Sequence, residues 1–401
     1  MARSRRERAV TLLDGMQSFG LVVLLAGLPF SEAMKSMGLA IAVTGFLGKL
    51  VSGARPSFPA RGASWALLAF VAAGALSVAA AAPGLRRPGA LFSLGMTVMP
   101  FYLVLDACAR PSRKLFFALV VVAGGALASV LGYLDHMTGI HHRAVLGSVE
   151  NAIPAAEYLA GVVPLAVALT LEEIAAPLAG PLLGLASGLA GLMFLMTKSR
   201  GPLPAAITGL SAAVGMSLRR WRWGIATFVA CSVAFVVFVV ANPGSRAADT
   251  MEGGGRSIAS RLDAWKTTAG LIAERPLVGH GLGSYKDLDV VYTDEHVSIH
   301  LYNAHSVPLH VACESGVLGA GSLGVFLVLG LLGALKRARG SKGLNRAVSL
   351  GALGGAVAVL LAGAFSVSTD AEPGMLLFAL LALGNVSGAA EERDIDVEVR
   401  S

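Results

Sequence analysis

The feature that most narrows how this chain can fold is a succession of about twelve apolar runs, near residues 14–30, 36–52, 63–82, 89–108, 115–134, 153–170, 175–196, 202–218, 224–241, 316–335, 347–368 and 374–390. A helix needs roughly 20 apolar residues to cross a hydrocarbon core. The runs are continuous stretches of Ala, Leu, Val and Gly rather than short alternating segments, and in lipid only a helix satisfies the backbone of such a run. The chain therefore reads as an all-α polytopic membrane protein of about 12 transmembrane helices. Hydrophobic residues at 55% against charged residues at 14% accord with several runs long enough to cross that hydrocarbon core. The 49 glycines then point to close helix packing. Cys108, Cys231 and Cys313 have no short spacing, which disfavours both disulfides and a zinc site.

Charge orients the spans. The N-terminal Arg3, Arg5, Arg6 and Arg8 serve as an anchor for the first helix, and an even number of spans puts both termini on one side. Loops on that side hold Arg55, Arg61, Arg110, Arg113, Lys114, Arg219, Arg220, Arg222 and the cluster from Lys336 to Arg346, which marks it as cytoplasmic. The net charge of +7 is explained by these loops, so no nucleic-acid partner is expected. The lipid bilayer is the expected surroundings. Against that bias, the opposite side carries Arg86, Arg87, Arg143, Lys198, Arg200, Arg246, Arg256, Arg261, Lys266 and Arg275. Planar guanidinium groups held there suit an anionic headgroup, because they pair bidentately with phosphate oxygens. Solvated loop charges would give the same composition.

Four segments follow from this reading: 1–240 with about nine transmembrane helices, 241–305 as a large outer loop, 306–390 with about three further spans, and 391–401 as a cytoplasmic tail. Within the outer loop, Ile258, Leu262, Trp265, Leu271 and Ile272 recur at helical spacing and predict a helix from Ser257 to Glu274. Pro276 and the run from Gly279 to Gly283 end it in a loop. An amphipathic stretch, Val307 to Ser315, leads into the next span. The glycine run lacks the preceding strand of a dinucleotide fingerprint.

Three pieces stand in a recognisable order: Thr197-Lys198-Ser199-Arg200-Gly201 at the outer end of a span, Arg261-Leu262-Asp263-Ala264-Trp265 followed by the stretch from Pro276 to Tyr285, and Asn303-Ala304-His305-Ser306 followed by Glu314-Ser315-Gly316-Val317-Leu318-Gly319. His305-Ser306 is followed, after nine residues, by Gly316-Val317-Leu318-Gly319. Together the pieces resemble the O-antigen ligase and polymerase superfamily, closest to O-antigen ligase. The resemblance implies a multi-pass enzyme of the bacterial inner membrane with a C-type glycosyltransferase architecture and its large loop in the periplasm. It implies transfer of a polysaccharide from an undecaprenyl-diphosphate-linked donor to a lipid A–core acceptor. Polymerisation on the same donor, transfer to protein hydroxyls and lipid transport are the alternatives.

The residues fit that chemistry. A polyprenyl diphosphate already leaves well, so what remains is to deprotonate a sugar hydroxyl and to stabilise charge on phosphate oxygens. His305 is the expected general base, ahead of His280, His296, His300 and His310. Arg200 and Arg261 are the expected diphosphate ligands, with Arg256 after a Gly-Gly-Gly run, and with Arg86 and Arg87 on topological grounds. Tyr285, Tyr292, Tyr302 and Asn303 are expected to contact glycan, although an interfacial aromatic belt would look the same. Glu157 contacts acceptor or caps its helix. No metal and no cofactor are expected: the loop has no Asp-x-Asp pair, Asp287, Asp289, Asp294 and Glu295 coming nearest.

Overall fold

The computed structural model describes residues 2–58, 61–110, 112–138, 146, 152–197, 199, 201–241, 255–288, 290–294, 297–366 and 372–386. Its helices are α1 (Ala2–Gly27), α2 (Glu32–Val51), α3 (Arg61–Ala80), α4 (Pro88–Ala107), α5 (Ser112–Met137), α6 (Ala152–Glu172), α7 (Ala179–Met196), α8 (Pro202–Ser217), α9 (Trp221–Ala241), α10 (Gly255–Glu274), α11 (Val307–Gly340), α12 (Gly343–Gly363) and α13 (Glu372–Asn385). Each apolar run became a helix, and α10 is the helix the 3.6-residue periodicity foretold. Among the described residues nine helices are long and apolar enough to cross a membrane, and α13 is a shorter apolar one. This is an all-α polytopic membrane architecture. A small antiparallel hairpin is added to it, β1 (Val291–Asp294) on β2 (Val297–His300), with Val291 opposite His300 and Asp294 opposite Val297.

The bundle closes through small residues. A β-carbon on Gly20 would lie 2.7 Å from the Gly38 carbonyl, and one on Gly45 would lie 2.6 Å from the Gln17 nitrogen, so α1 and α2 pack backbone against backbone. Spans α6 and α12 are the most enveloped and α7 among the least. Leu182, Leu185, Val325, Val328 and Leu332 stand exposed on outer helices, the surface a hydrocarbon solvent requires.

Among the described residues, buried charges of the bundle have ionic or hydrogen-bonding partners, because an isolated buried charge costs several kcal/mol. Arg113 and Asp14 meet at 2.6 Å, Lys49 and Asp106 at 2.5 Å, and Lys35 bridges Glu32 and Glu372 at 2.6 and 2.7 Å. Lys114, fully buried on α5, donates to Ser349 Oγ at 2.7 Å and to the Val386 carbonyl at 3.0 Å. Arg113 and Lys114 read from sequence as loop charges that orient the spans. They also tie helix ends together, a role invisible until the tertiary contacts form.

Helix α11 is broken once. Gly316 has φ 64° and ψ −167°, which separates the amphipathic stretch 307–315 from the span that follows. The site is built around this break.

Candidate active site

The loop after α10 crosses α11 at Gly316 and completes its broken hydrogen-bond ladder. Val317 N–H donates to the Pro276 carbonyl at 2.8 Å and Leu318 N–H to the Leu277 carbonyl at 3.3 Å. In return, His280 N–H donates to the Cys313 carbonyl at 2.9 Å and Gly281 N–H to the Glu314 carbonyl at 3.0 Å. These are donors and acceptors that a helix break leaves open, and leaving them unpaired in an apolar setting would be costly. Two glycines make the approach possible. A β-carbon on Gly279 (φ 71°) would collide with the Glu314 carbonyl, and one on Gly316 with the Leu277 carbonyl. The glycine run is thus a clamp on a transmembrane helix.

Above the clamp lies a small core of Tyr285, Val290, Ala304 and Cys313, with Leu271 and Ile272 of α10 packed on it. Tyr285 is 1% exposed, and its hydroxyl shares a 2.7 Å hydrogen bond with Thr268 Oγ1 of α10. Burial raises its pKa above the ordinary phenol value. The expectation that Tyr285 offers its ring to a glycan is therefore corrected: the ring is consumed in packing. His280 is likewise taken up, its Nε2 lying 2.8 Å from the Leu271 carbonyl.

His305 ends the segment in a conformation rare for any residue with a side chain, φ 47°. Its N–H donates to Asn303 Oδ1 at 3.0 Å, a local turn that holds the left-handed backbone, so Asn303 acts here on the histidine. Such strain collects at functional sites. The imidazole is half-buried, and its pKa is lowered from the ordinary 6.5, first by desolvation and then by the charge of Arg261. The two residues that the motifs singled out, His305 and Arg261, thus lie close enough to interact. Arg261 and Trp265 share one face of α10, and the Trp265 ring sits 6.3 Å from that of Phe365, just past α12. That contact seats α10 on the bundle.

The remaining candidates divide. Arg200 lies outside the described residues, but beside it Ser199 Oγ donates to the Ala152 carbonyl at 2.9 Å, joining the end of α7 to the start of α6. Arg256 falls in the first turn of α10, with its side chain outside the description, as is that of Tyr292. Tyr302 is 70% exposed. Glu157, buried at the start of α6, accepts from Ser366 Oγ. Arg86 and Arg87 line a cavity of about 600 Å³ between α3, α4 and α11, whose lining residues do not include His305. Arg87 holds Asp287 through two bonds of 2.6 and 2.7 Å, so one residue considered for metal is engaged with an arginine. Sequence reading underrated Glu314, whose carboxylate accepts from Tyr285 N–H at 3.1 Å and lies 3.4 Å from His310 Nε2. Its place just before the Gly316 break was the available signal.

A lowered imidazole pKa has a definite consequence for rate against pH. A base works only when unprotonated, so activity that depends on His305 should rise with pH through a midpoint below that of an ordinary imidazole. In an Arg261→Gln protein the positive neighbour is gone, and the acidic limb of whatever activity survives should move to higher pH. A limb that stays in place would show that Arg261 does not act on the titrating group.

A bundle of membrane-spanning helices with a strained, partly buried histidine beside an arginine at one end defines a polytopic membrane protein whose polar site lies where helices and surface loop meet. Residues 185–323, from α7 into α11, match the family model described as O-antigen ligase, and that match supports the O-antigen ligase and polymerase superfamily for this chain. Members of that family are glycosyltransferase-like enzymes acting on lipid-linked glycans. No curated protein matches the chain.

Proposed function

We propose that this protein is an O-antigen ligase of a bacterial inner membrane, which moves a polysaccharide from undecaprenyl diphosphate to a sugar of lipid A–core on the periplasmic face. The observation that carries the reading is the strained, half-buried His305 just before α11, whose pKa is lowered by burial and then by the charge of Arg261. A neutral imidazole can take the proton of an acceptor hydroxyl as its oxygen attacks the anomeric carbon. The bond to the diphosphate breaks with its electron pair on the leaving phosphate oxygen, and attack from the opposite face inverts that centre. Arg261, with Arg200 from the same sequence pattern and Arg256 after its glycine run, neutralises the diphosphate, a task preorganised cations perform well in a water-poor site. Metal independence is part of the proposal, with arginines where a divalent ion would otherwise stand. The segment 241–305 is then the periplasmic loop, between spans in 1–240 and 306–390, and 391–401 lies in the cytoplasm.

The test is reconstitution in vesicles with lipid-linked glycan, with and without lipid A–core, in the presence of a metal chelator. Product that forms only when lipid A–core is supplied is the expected result. Lengthening of the lipid-linked chain without it would make the protein a polymerase. Activity lost to chelator and restored by Mg²⁺ would overturn the metal-free mechanism.

A further inference from the structure

The end of the bundle away from His305 holds a charged cleft of its own. Helix α4 begins beside Arg86 and Arg87, in the cavity that also reaches Glu314, and its 20 residues carry it about 30 Å away to Asp106. There α1, α2, α4 and α5 enclose a cavity of about 210 Å³, lined by Asp14, Lys49, Arg55, Asp106, Arg110 and Arg113. Lys49 and Asp106 are both more than nine-tenths buried. The two carboxylates are already engaged: Asp14 accepts from Arg113 at 2.6 and 3.0 Å and from Lys49 at 3.3 Å, and Asp106 accepts from Lys49 at 2.5 Å and from Ser57 N–H at 2.9 Å. Arg113 also donates to the Ala107 carbonyl at 3.2 Å. Arg110 reaches Asp14 only at 3.4 Å, with its side chain 60% exposed. Arg55 is exposed and has no hydrogen bond or ion pair among the described residues. Four cations thus face two carboxylates, and the surplus charge lies on two guanidinium groups at the rim.

We propose that this cleft seats the phosphodiester headgroup of an anionic phospholipid, with its phosphate at Arg55 and Arg110 and its acyl chains along the ends of α1 and α2. Guanidinium forks match phosphate oxygens, and basic pockets between helix ends favour anionic headgroups. The walls favour a lipid over a free anion: Val10 and Leu50 line the cavity, and Leu12, Leu47 and Val51 stand exposed on the same helix ends. The volume lies below the roughly 300–1,000 Å³ of a pocket that encloses a whole small molecule, which suits a headgroup whose chains remain outside. A lipid held there joins the ends of four helices, and a ligand bound to the folded state alone stabilises it. The site is independent of glycan transfer, about a bilayer's thickness from His305.

The experiment titrates full-length protein in detergent with dioleoylphosphatidylglycerol or dioleoylphosphatidylcholine, counting retained lipids by native mass spectrometry and following the thermal melt. The first phosphatidylglycerol should bind about tenfold or more tighter than phosphatidylcholine and raise the melt. Arg55→Ala with Arg110→Ala should abolish that preference, and Arg55→Ala alone, which breaks no bond in the structure, should already weaken it. Both residues are exposed, so the variants should melt as the native protein does when only phosphatidylcholine is present. The control is Lys336→Ala with Arg339→Ala, which removes the same charge from two exposed positions at the far end of α11; the preference should survive it. Equal binding of the two lipids would overturn the proposal, as would an equal loss with both pairs of substitutions, which would mean diffuse attraction to a basic surface. Full displacement of phosphatidylglycerol by millimolar inorganic phosphate would make the cleft a free-anion site and would also overturn it.

Discussion

His305→Ala is expected to reduce glycan transfer by about 10²–10⁴-fold, the usual worth of a positioned general base. Alanine would sit uneasily in the left-handed backbone at φ 47°, so His305→Asn is the sharper variant. Asparagine enters that region more readily than other residues and has no group to take a proton. The measurement is transfer from lipid-linked glycan in proteoliposomes. Asparagine protein that folds and is inactive isolates the chemistry from the strain, and full activity of the purified asparagine variant would remove His305 from the mechanism. The same loss is expected for Arg261→Ala. There the loss belongs to phosphate binding and, through the histidine pKa, to the acidic limb.

The second large effect concerns backbone rather than chemistry. Gly316→Val should destabilise the protein by roughly 2–6 kcal/mol, because the four crossing bonds contribute about 0.5–1.5 kcal/mol each and all depend on an approach that a side chain forbids. Valine is also strained at φ 64°. Differential scanning in detergent should show a lower and broader melt. Gly321→Ala and Gly324→Ala on the same helix are the controls, since a β-carbon there meets nothing within 4 Å. An unchanged melt for Gly316→Val would mean that the crossing does not hold the structure.

How much of this was legible in the sequence depends on the range of the interaction that decides each feature. The twelve runs and α10 are set by local periodicity, and the apolar run starting at Gly316 begins where α11 breaks. The hairpin was missed although Val291, Tyr292 and Thr293 pair with His300, Ile299 and Ser298. Two strands of four residues are too short to stand out beside twelve helices. His305 and Arg261 were linked by order and spacing, and the Arg261 charge is one cause of the lowered His305 pKa. The burial of Tyr285, the anchoring of Lys114 and the pairing of Arg87 with Asp287 had no local signal. Each depends on which distant segment lies opposite. Arg86 and Arg87 were grouped with the other outer arginines because one-dimensional topology records a side of the membrane and not a position on it.

The clamp at Gly316 also bears on how such a chain can drift. Its four bonds run between main-chain atoms of residues 276–281 and 313–318, and Leu277 turns its side chain mostly outward. The letters along this strip can therefore be rewritten without loosening the joint, provided Gly279 and Gly316 stay bare. Substrate-facing surfaces around the joint are thus free to diversify while the seam that holds the loop to the membrane helix remains constant.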